Sequence, residues 1–146
     1  MIRISIASDH AGFELKSFIK NTFNLEGCSL EFDFGCISNE SMDYPDVVHP
    51  LVKSITSGAA DMGILICGSA NGVAITANKY AAIRAALCWN EEIARLARAH
   101  NNANILCLPA RFIEKDEAIK IIKAFFSTNF EGGRHQNRVD KINCIV

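Results

Sequence analysis

The segment Met62-Gly63-Ile64-Leu65-Ile66-Cys67 constrains the fold of this chain more than any other. It is a continuous apolar run, as expected of a strand covered on both faces. A loop of small residues follows, Gly68-Ser69-Ala70-Asn71-Gly72, and then a segment that reads as a helix from about Asn71 to Lys79. In an α/β protein this order places Cys67 at the carboxyl end of a buried strand, facing the amides of a helix N-terminus. Such amides stabilise anions and favour the reactive thiolate form of a cysteine. One short stretch thus offers a base or nucleophile beside an anion cradle.

The rest of the chain alternates between the same two element types. Strands are predicted over Ile2 to Ala7, Ser29 to Phe34, Ile83 to Cys88 and Ile105 to Leu108. Gly12 to Phe23 spaces Leu15, Phe18, Ile19 and Phe23 along one helical face. Asp46 to Ser57 is a second helix, closed by Gly58. Asn90 caps a helix from Glu91 to about Ala99. Asp116 to Phe126 is amphipathic, and Gly132 to Asn143 holds a last helix. The fold expected is α/β: a three-layer αβα sandwich on a Rossmann-like five-stranded parallel sheet. With no internal repeat, low-complexity segment or linker, residues 1–146 read as a single domain.

Ligands on such sheets bind beyond the carboxyl ends of the strands. Those positions hold Ser8-Asp9-His10, Cys67-Gly68-Ser69, Trp89-Asn90 and Pro109-Ala110-Arg111. Asp9 suits a helix cap and equally a ligand contact. Arg134 and Arg138 stand four apart, on one helical face. Two guanidinium groups so placed suit a phosphate or carboxylate, or else form a solvated basic face. Arg111 reads either as a third anion ligand or as a surface arginine. Tyr44, before Pro45, offers a hydroxyl to a ligand or simply packs. His100, with Asn101 and Asn102, ends a helix, where the dipole alone favours a histidine.

Several chemistries are excluded. The two glycines of the loop stand four apart, so no dinucleotide fingerprint is present, and no Lys-Ser or Lys-Thr pair closes a P-loop. A cysteine phosphatase loop needs an arginine six positions after Cys67, where this chain has Val73. The His and Cys residues lack paired zinc spacing, so no metal is expected. The 6 cysteines form no Cys-x-x-Cys pair, and Cys28, Cys67, Cys88 and Cys107 sit in or beside apolar runs. That pattern fits reduced thiols in a cytoplasmic protein. A formal charge of -1 gives no general reason to expect nucleic acid or an anionic membrane as partner. No apolar run reaches membrane-spanning length, and the N-terminus starts as a strand without a signal-peptide pattern.

Taken together, the motifs resemble the ribose-5-phosphate isomerase B family, within the wider group that includes galactose-6-phosphate isomerase subunits. The resemblance runs through Ser8-Asp9-His10-Ala11-Gly12, Asp43-Tyr44-Pro45, Gly63 to Ser69, Ala77-Asn78-Lys79, Ile83-Arg84-Ala85, His100-Asn101-Asn102 and Gly132 to Arg138. Each motif alone is weak; their joint occurrence in this order is specific. Ala70 and Pro109 stand where glycine is more usual in the family.

The resemblance implies interconversion of ribose 5-phosphate and ribulose 5-phosphate with no cofactor and no metal. It implies that His100 helps open the furanose ring, and that Cys67 moves the proton from C2 to C1 through a cis-enediolate. Backbone amides from Gly68 through Asn71 to Gly72 would stabilise that intermediate, and Ser69 would relay a proton between O1 and O2. Asp9, Tyr44 and Asn101 would hold sugar hydroxyls, and His10, Arg111, Arg134 and Arg138 the phosphate. Some relatives carry a glutamate base at the position of Val73, so the resemblance places this chain in the cysteine-using branch. It also implies a homodimer or dimer of dimers with shared sites, in which some of His100, Asn101, Arg134 and Arg138 reach into the partner's pocket. Rival readings are an isomerase of six-carbon sugar phosphates, with a longer pocket, and a sugar-phosphate sensor that has no use for Cys67, Ser69 or His100. A redox protein would need a resolving cysteine near Cys67 in sequence, which is missing.

Overall fold

Five strands pair side by side as one sheet. The computed structural model describes residues 1–143. Its strands are β1 (Ile2–Ser8), β2 (Cys28–Phe34), β3 (Met62–Cys67), β4 (Ala85–Leu87) and β5 (Ile105–Pro109). All neighbours are parallel, in the order β2-β1-β3-β5-β4. The helices are α1 (Phe13–Thr22), α2 (Pro45–Thr56), α3 (Asn71–Ala77), α4 (Glu91–Asn101), α5 (Lys115–Ser127) and α6 (Arg134–Lys141). The expected sandwich is present. Its last helix is shorter than expected, and the sixth cysteine, Cys144, lies outside the described residues.

The strand order and the right-handedness of parallel crossovers decide which face each helix covers. Moves from β1 to β2 and from β4 to β5 run one way along the sheet, so α1 and α4 share a face. Moves from β2 to β3 and from β3 to β4 run the other way, so α2 and α3 share the opposite face. The cores agree. Ile4, Ile6, Ile64, Ile66, Leu106 and Leu108 pack with Leu15, Ile19, Ala94, Ala97, Ile121 and Phe125. Leu65, Cys67, Ile105 and Cys107 pack with Val47, Val48, Leu51, Val52, Val73 and Ala77. Alternate residues of β3 thus feed both cores, which is why this strand carries no polar side chain. A fully buried isoleucine or leucine here contributes about 1.5–3 kcal/mol relative to exposure.

β4 is shorter than the predicted Ile83 to Cys88. It is an edge strand, and asparagine side chains take backbone groups beside it. The Asn78 side-chain amide donates to the Ala85 carbonyl (2.9 Å) and accepts from the Ala85 amide (2.8 Å). Asn104 Oδ1 accepts from the Arg84 amide (2.8 Å). These side chains blunt an edge that would otherwise invite another strand. α4 runs to Asn101, beyond the predicted end, and stops at Asn102 in the left-handed region (φ 47°). Asn90 caps it as expected, accepting from the Ile93 amide at 2.9 Å.

Arg3 of β1 and Asp61, at the entry to β3, form a two-pronged pair of 2.8 and 3.1 Å. The hydrogen bonds from Arg3 hold the Asp61 carboxyl down at about 2. An unfolded aspartate titrates near ~3.9. The pair therefore stabilises the fold fully above pH ~4 and loses that contribution as the pH falls toward ~2. Both groups are exposed, so solvent screening keeps the effect small. Asp61→Asn is expected to lower the melting temperature by about one or two degrees at neutral pH. Melting curves of both proteins should converge as the pH is taken from ~4 to ~2.

Candidate active site

The order of connections reverses between β1 and β3, since β1 leads outward to β2 and β3 leads toward the other edge. Such switch points open a crevice at the carboxyl ends of the strands. Here the crevice is a cavity of about 370 Å³ lined by Asp9, His10, Ala11, Tyr44, Cys67, Gly68, Ser69, Gly72, Arg111 and Phe112. Eight of the predicted site residues meet in it, from four separate stretches of chain.

Each wall has a local cause. Asp9 follows β1, and its amide donates to the Ile66 carbonyl across the switch point (3.3 Å). Its Oδ1 accepts from the Gly12 amide at 3.1 Å, capping the short 3-10 turn His10–Gly12. Capping and lining the cavity are thus both realised. A Cβ on Gly12 would lie 2.8 Å from the Ile66 carbonyl oxygen, so only glycine lets this turn sit on β3. His10 Nδ1 accepts from the Met42 amide at 3.3 Å. That bond assigns the imidazole proton to Nε2 and makes Nε2 the donor available to a ligand.

Cys67 ends β3 with 5 % exposure, paired in register with Pro109 of β5. Pro109 has no amide to extend the ladder. The chain turns instead, and the Ala110 and Arg111 amides donate to the Cys67 and Gly68 carbonyls (2.9 and 3.1 Å). The Arg111 guanidinium then lies over Gly68, where a Cβ would be 3.1 Å from a terminal nitrogen. Ala70 takes the left-handed conformation (φ 64°) that turns the loop into α3. Glycine is the residue that adopts this geometry without steric cost. Ser69 Oγ accepts from the Asn71 amide (3.4 Å) and side chain (3.2 Å), which leaves its own proton to donate. Asn71 itself is exposed and lies outside the cavity wall.

Tyr44 is the N-cap of α2, with Pro45 at the first helical position. Its ring rests on the Gly72 backbone, 2.5 Å from where a Cβ would stand. Gly72→Ala should displace the ring. The expected result is a rise in KM of about tenfold with the fold retained, read from substrate kinetics and circular dichroism.

His100, Asn101, Arg134 and Arg138 are absent from this cavity. The topology says why. α4 returns from the carboxyl end of β4 to the amino end of β5, and His100 lies five residues before β5 begins. Cys67 pairs with the last residue of β5, four steps or about 13 Å further on. The two groups occupy opposite edges of one sheet.

At the amino edge a second cluster forms. The Glu131 amide donates to the Ala99 carbonyl at 3.0 Å, tying the loop before α6 to the end of α4. The His100 and His135 rings stack at 4.1 Å with an 8° tilt. Glu131 Oε2 is 3.8 Å from His100 Nε2 and 3.5 Å from His135 Nε2. Burial, with His100, Arg134 and Arg138 nearby, lowers the His135 imidazole below its usual range. Glu131 and His135 were not singled out in the sequence. His135 lies inside the Gly-Gly-Arg-His motif, but the stacking that makes it a neighbour of His100 is tertiary. Phe112 was missed as well; it is a cavity wall with 73 % exposure.

The remaining thiols differ from Cys67 in place. Burial pushes Cys88 up to about 12 and Cys107 well above the usual thiol range, so both stay protonated inside the core. The five described cysteines are free. No helix among the described residues is long and apolar enough to cross a membrane.

A ribose/galactose isomerase family model matches residues 4–142. A probable ribose-5-phosphate isomerase B of Mycoplasma genitalium is 44 % identical over 95 % of this chain and 92 % of its own. The Escherichia coli ribose-5-phosphate isomerase B is 39 % identical over 99 % and 97 %. Among solved structures, the Thermotoga maritima ribose 5-phosphate isomerase superposes with a TM-score of 0.92 at 53 % identity, covering 97 % of each chain. The Mycoplasma genitalium enzyme with bound ribulose 5-phosphate gives 0.85 at 44 % identity, over 96 % of this chain and 93 % of that one.

Proposed function

The chain belongs to the ribose/galactose isomerase family, and from that premise we propose that it interconverts D-ribose 5-phosphate and D-ribulose 5-phosphate. The observation that carries this reading is the placement of Cys67, Ser69 and Arg111 around one cavity at the sheet's switch point. A relative of the same fold holds ribulose 5-phosphate.

The reaction is an internal oxidation and reduction. C2 of the aldose is oxidised as C1 is reduced, so no external electron acceptor is needed. His100 assists ring opening by exchanging protons with the ring oxygen and the C1 hydroxyl. The Cys67 thiolate then takes the C2 proton of the open-chain aldehyde. The electron pair moves through C1 to the carbonyl oxygen, giving a cis-enediolate. Amides of the Gly68 to Gly72 loop stabilise the oxygen charge. Ser69, whose hydroxyl proton is uncommitted, moves a proton between O2 and O1. The Cys67 thiol returns its proton to C1 and leaves the ketose. Asp9 and Tyr44 orient the sugar hydroxyls, while His10 and Arg111 hold the phosphate.

Residues 1–146 act as one catalytic domain that requires neither cofactor nor metal for turnover. The separation of Cys67 from His100 along β5 supports a site shared between two copies. In a homodimer or a dimer of dimers, His100, Asn101, Arg134 and Arg138 of one copy complete the cavity of the other. A catalytic Cys67 requires a reducing compartment, which fits a cytoplasmic location. The direct test supplies ribose 5-phosphate with a chelator and follows ketopentose formation. Conversion is expected. No conversion by folded, reduced protein would overturn the reading in favour of a six-carbon substrate or a sensor.

A further inference from the structure

The amino-edge cluster has a chemistry that isomerisation does not use. His100, Glu131 and His135 each present one donor atom, and the three atoms lie within 4.8 Å of one another. We propose that these three side chains form a site for a zinc-class transition metal ion, and that its occupancy reversibly inhibits the enzyme.

Two imidazoles and one carboxylate are a donor set that zinc, cobalt and nickel favour over magnesium or calcium. Three protein ligands leave a fourth position for water. Ligand atoms around a tetrahedral ion at ~2.05 Å stand about 3.3 Å apart. The Glu131 oxygen is already at 3.5 and 3.8 Å from the two nitrogens. Closing the set takes rotation of the Glu131 side chain, which is 60 % exposed, and swings the His100 ring, which is 36 % exposed, out of its stack on His135, because each imidazole binds an ion in its own ring plane. His135 is buried, which fixes its ring. Arg134 and Arg138 stand close enough to repel a cation. The spacing of the residues in sequence conceals the set, because one ligand ends α4, one lies in a loop and one begins α6.

The metal site stands on geometry alone; the inhibition rests on the proposed ring-opening role of His100. The test therefore reads the two separately. The full chain, reduced, is titrated with Co²⁺ while the visible d–d absorption is followed, and Zn²⁺ is then added as competitor. Cys67→Ala, Glu131→Gln and the Glu131→Gln/His135→Gln double variant are run beside it. Glu131 is exposed, so its variant leaves the fold intact, which circular dichroism verifies.

The expected result is one saturable cobalt site per chain in the parent and in Cys67→Ala, displaced by Zn²⁺. Affinity should fall about tenfold or more in Glu131→Gln and further in the double variant. Absence of a saturable band overturns the proposal. So does a band lost in Cys67→Ala, which would put the ion on the thiolate, or one unchanged in both Glu131 variants. Zinc should then inhibit ribose 5-phosphate turnover, and a chelator should restore it. Binding without inhibition overturns the regulatory half of the proposal and leaves the isomerase reading untouched.

Discussion

Cys67→Ala is expected to lower kcat for ribose 5-phosphate by about a thousandfold, within the range that a positioned proton acceptor contributes. KM should change little, because Asp9, His10 and Arg111 still hold the ground state. The side chain sits at a strand end with 5 % exposure, so losing one sulfur leaves a small gap beside the cavity and not a hole in the core. Stopped assays for ketopentose, with circular dichroism to verify folding, provide the measurement. Cys88→Ala is the matched control. Its thiol, pushed up to about 12 by burial, stays protonated and cannot act as a base at neutral pH, so kcat should be retained. Full activity in Cys67→Ala would remove this residue as the base.

Mixing two inactive variants should restore activity. Cys67→Ala and His100→Ala each damage every site of a homodimer, but at opposite edges of the sheet. If a site takes Cys67 from one copy and His100 from the other, each heterodimer carries one doubly damaged site and one intact site. Random exchange makes about half of the dimers heterodimers, so about a quarter of the parent activity should return. The variants are unfolded and refolded together, and turnover is compared with that of each refolded alone. No recovery, with dimers present by light scattering, would place both residues in one copy's site. That outcome would conflict with the ~13 Å of β5 between them.

Much of the fold is legible because burial writes itself into apolar runs. β3 is uniformly apolar because alternate residues feed two cores. Asn90 marks a helix start through its side-chain cap, and Gly58 a helix end through its left-handed backbone. Edges are less legible. Ile83 to Cys88 has the composition of a full strand, yet Asn78, at the end of α3, and Asn104, just before β5, take up the neighbouring backbone groups.

The site divides in the same way. Asp9, His10, Cys67 and Arg111 are legible because each ends a strand or comes just after one, and parallel strands bring their carboxyl ends to one edge. Tyr44 comes to the same cavity through a different route, stacked on a glycine that a sequence pattern marks only as part of a loop. His100 and Arg134 share a motif set with Cys67 but not a location. Sequence similarity names the residues of a reaction without saying which chain supplies each.

What the sequence by itself determined is therefore local. Apolar period, caps and the order of strands and helices make a parallel sheet, and a cysteine at a strand end beside small residues puts a thiol at the sheet's ligand-facing edge. Tertiary structure alone decided the distances. It put β5 between β3 and β4, and so set His100 a strand's length away from Cys67. It also stacked His135 on His100 with Glu131 beside both. The physical reason is that propensity and burial act over a few residues, whereas these approaches depend on how whole elements cross and pack.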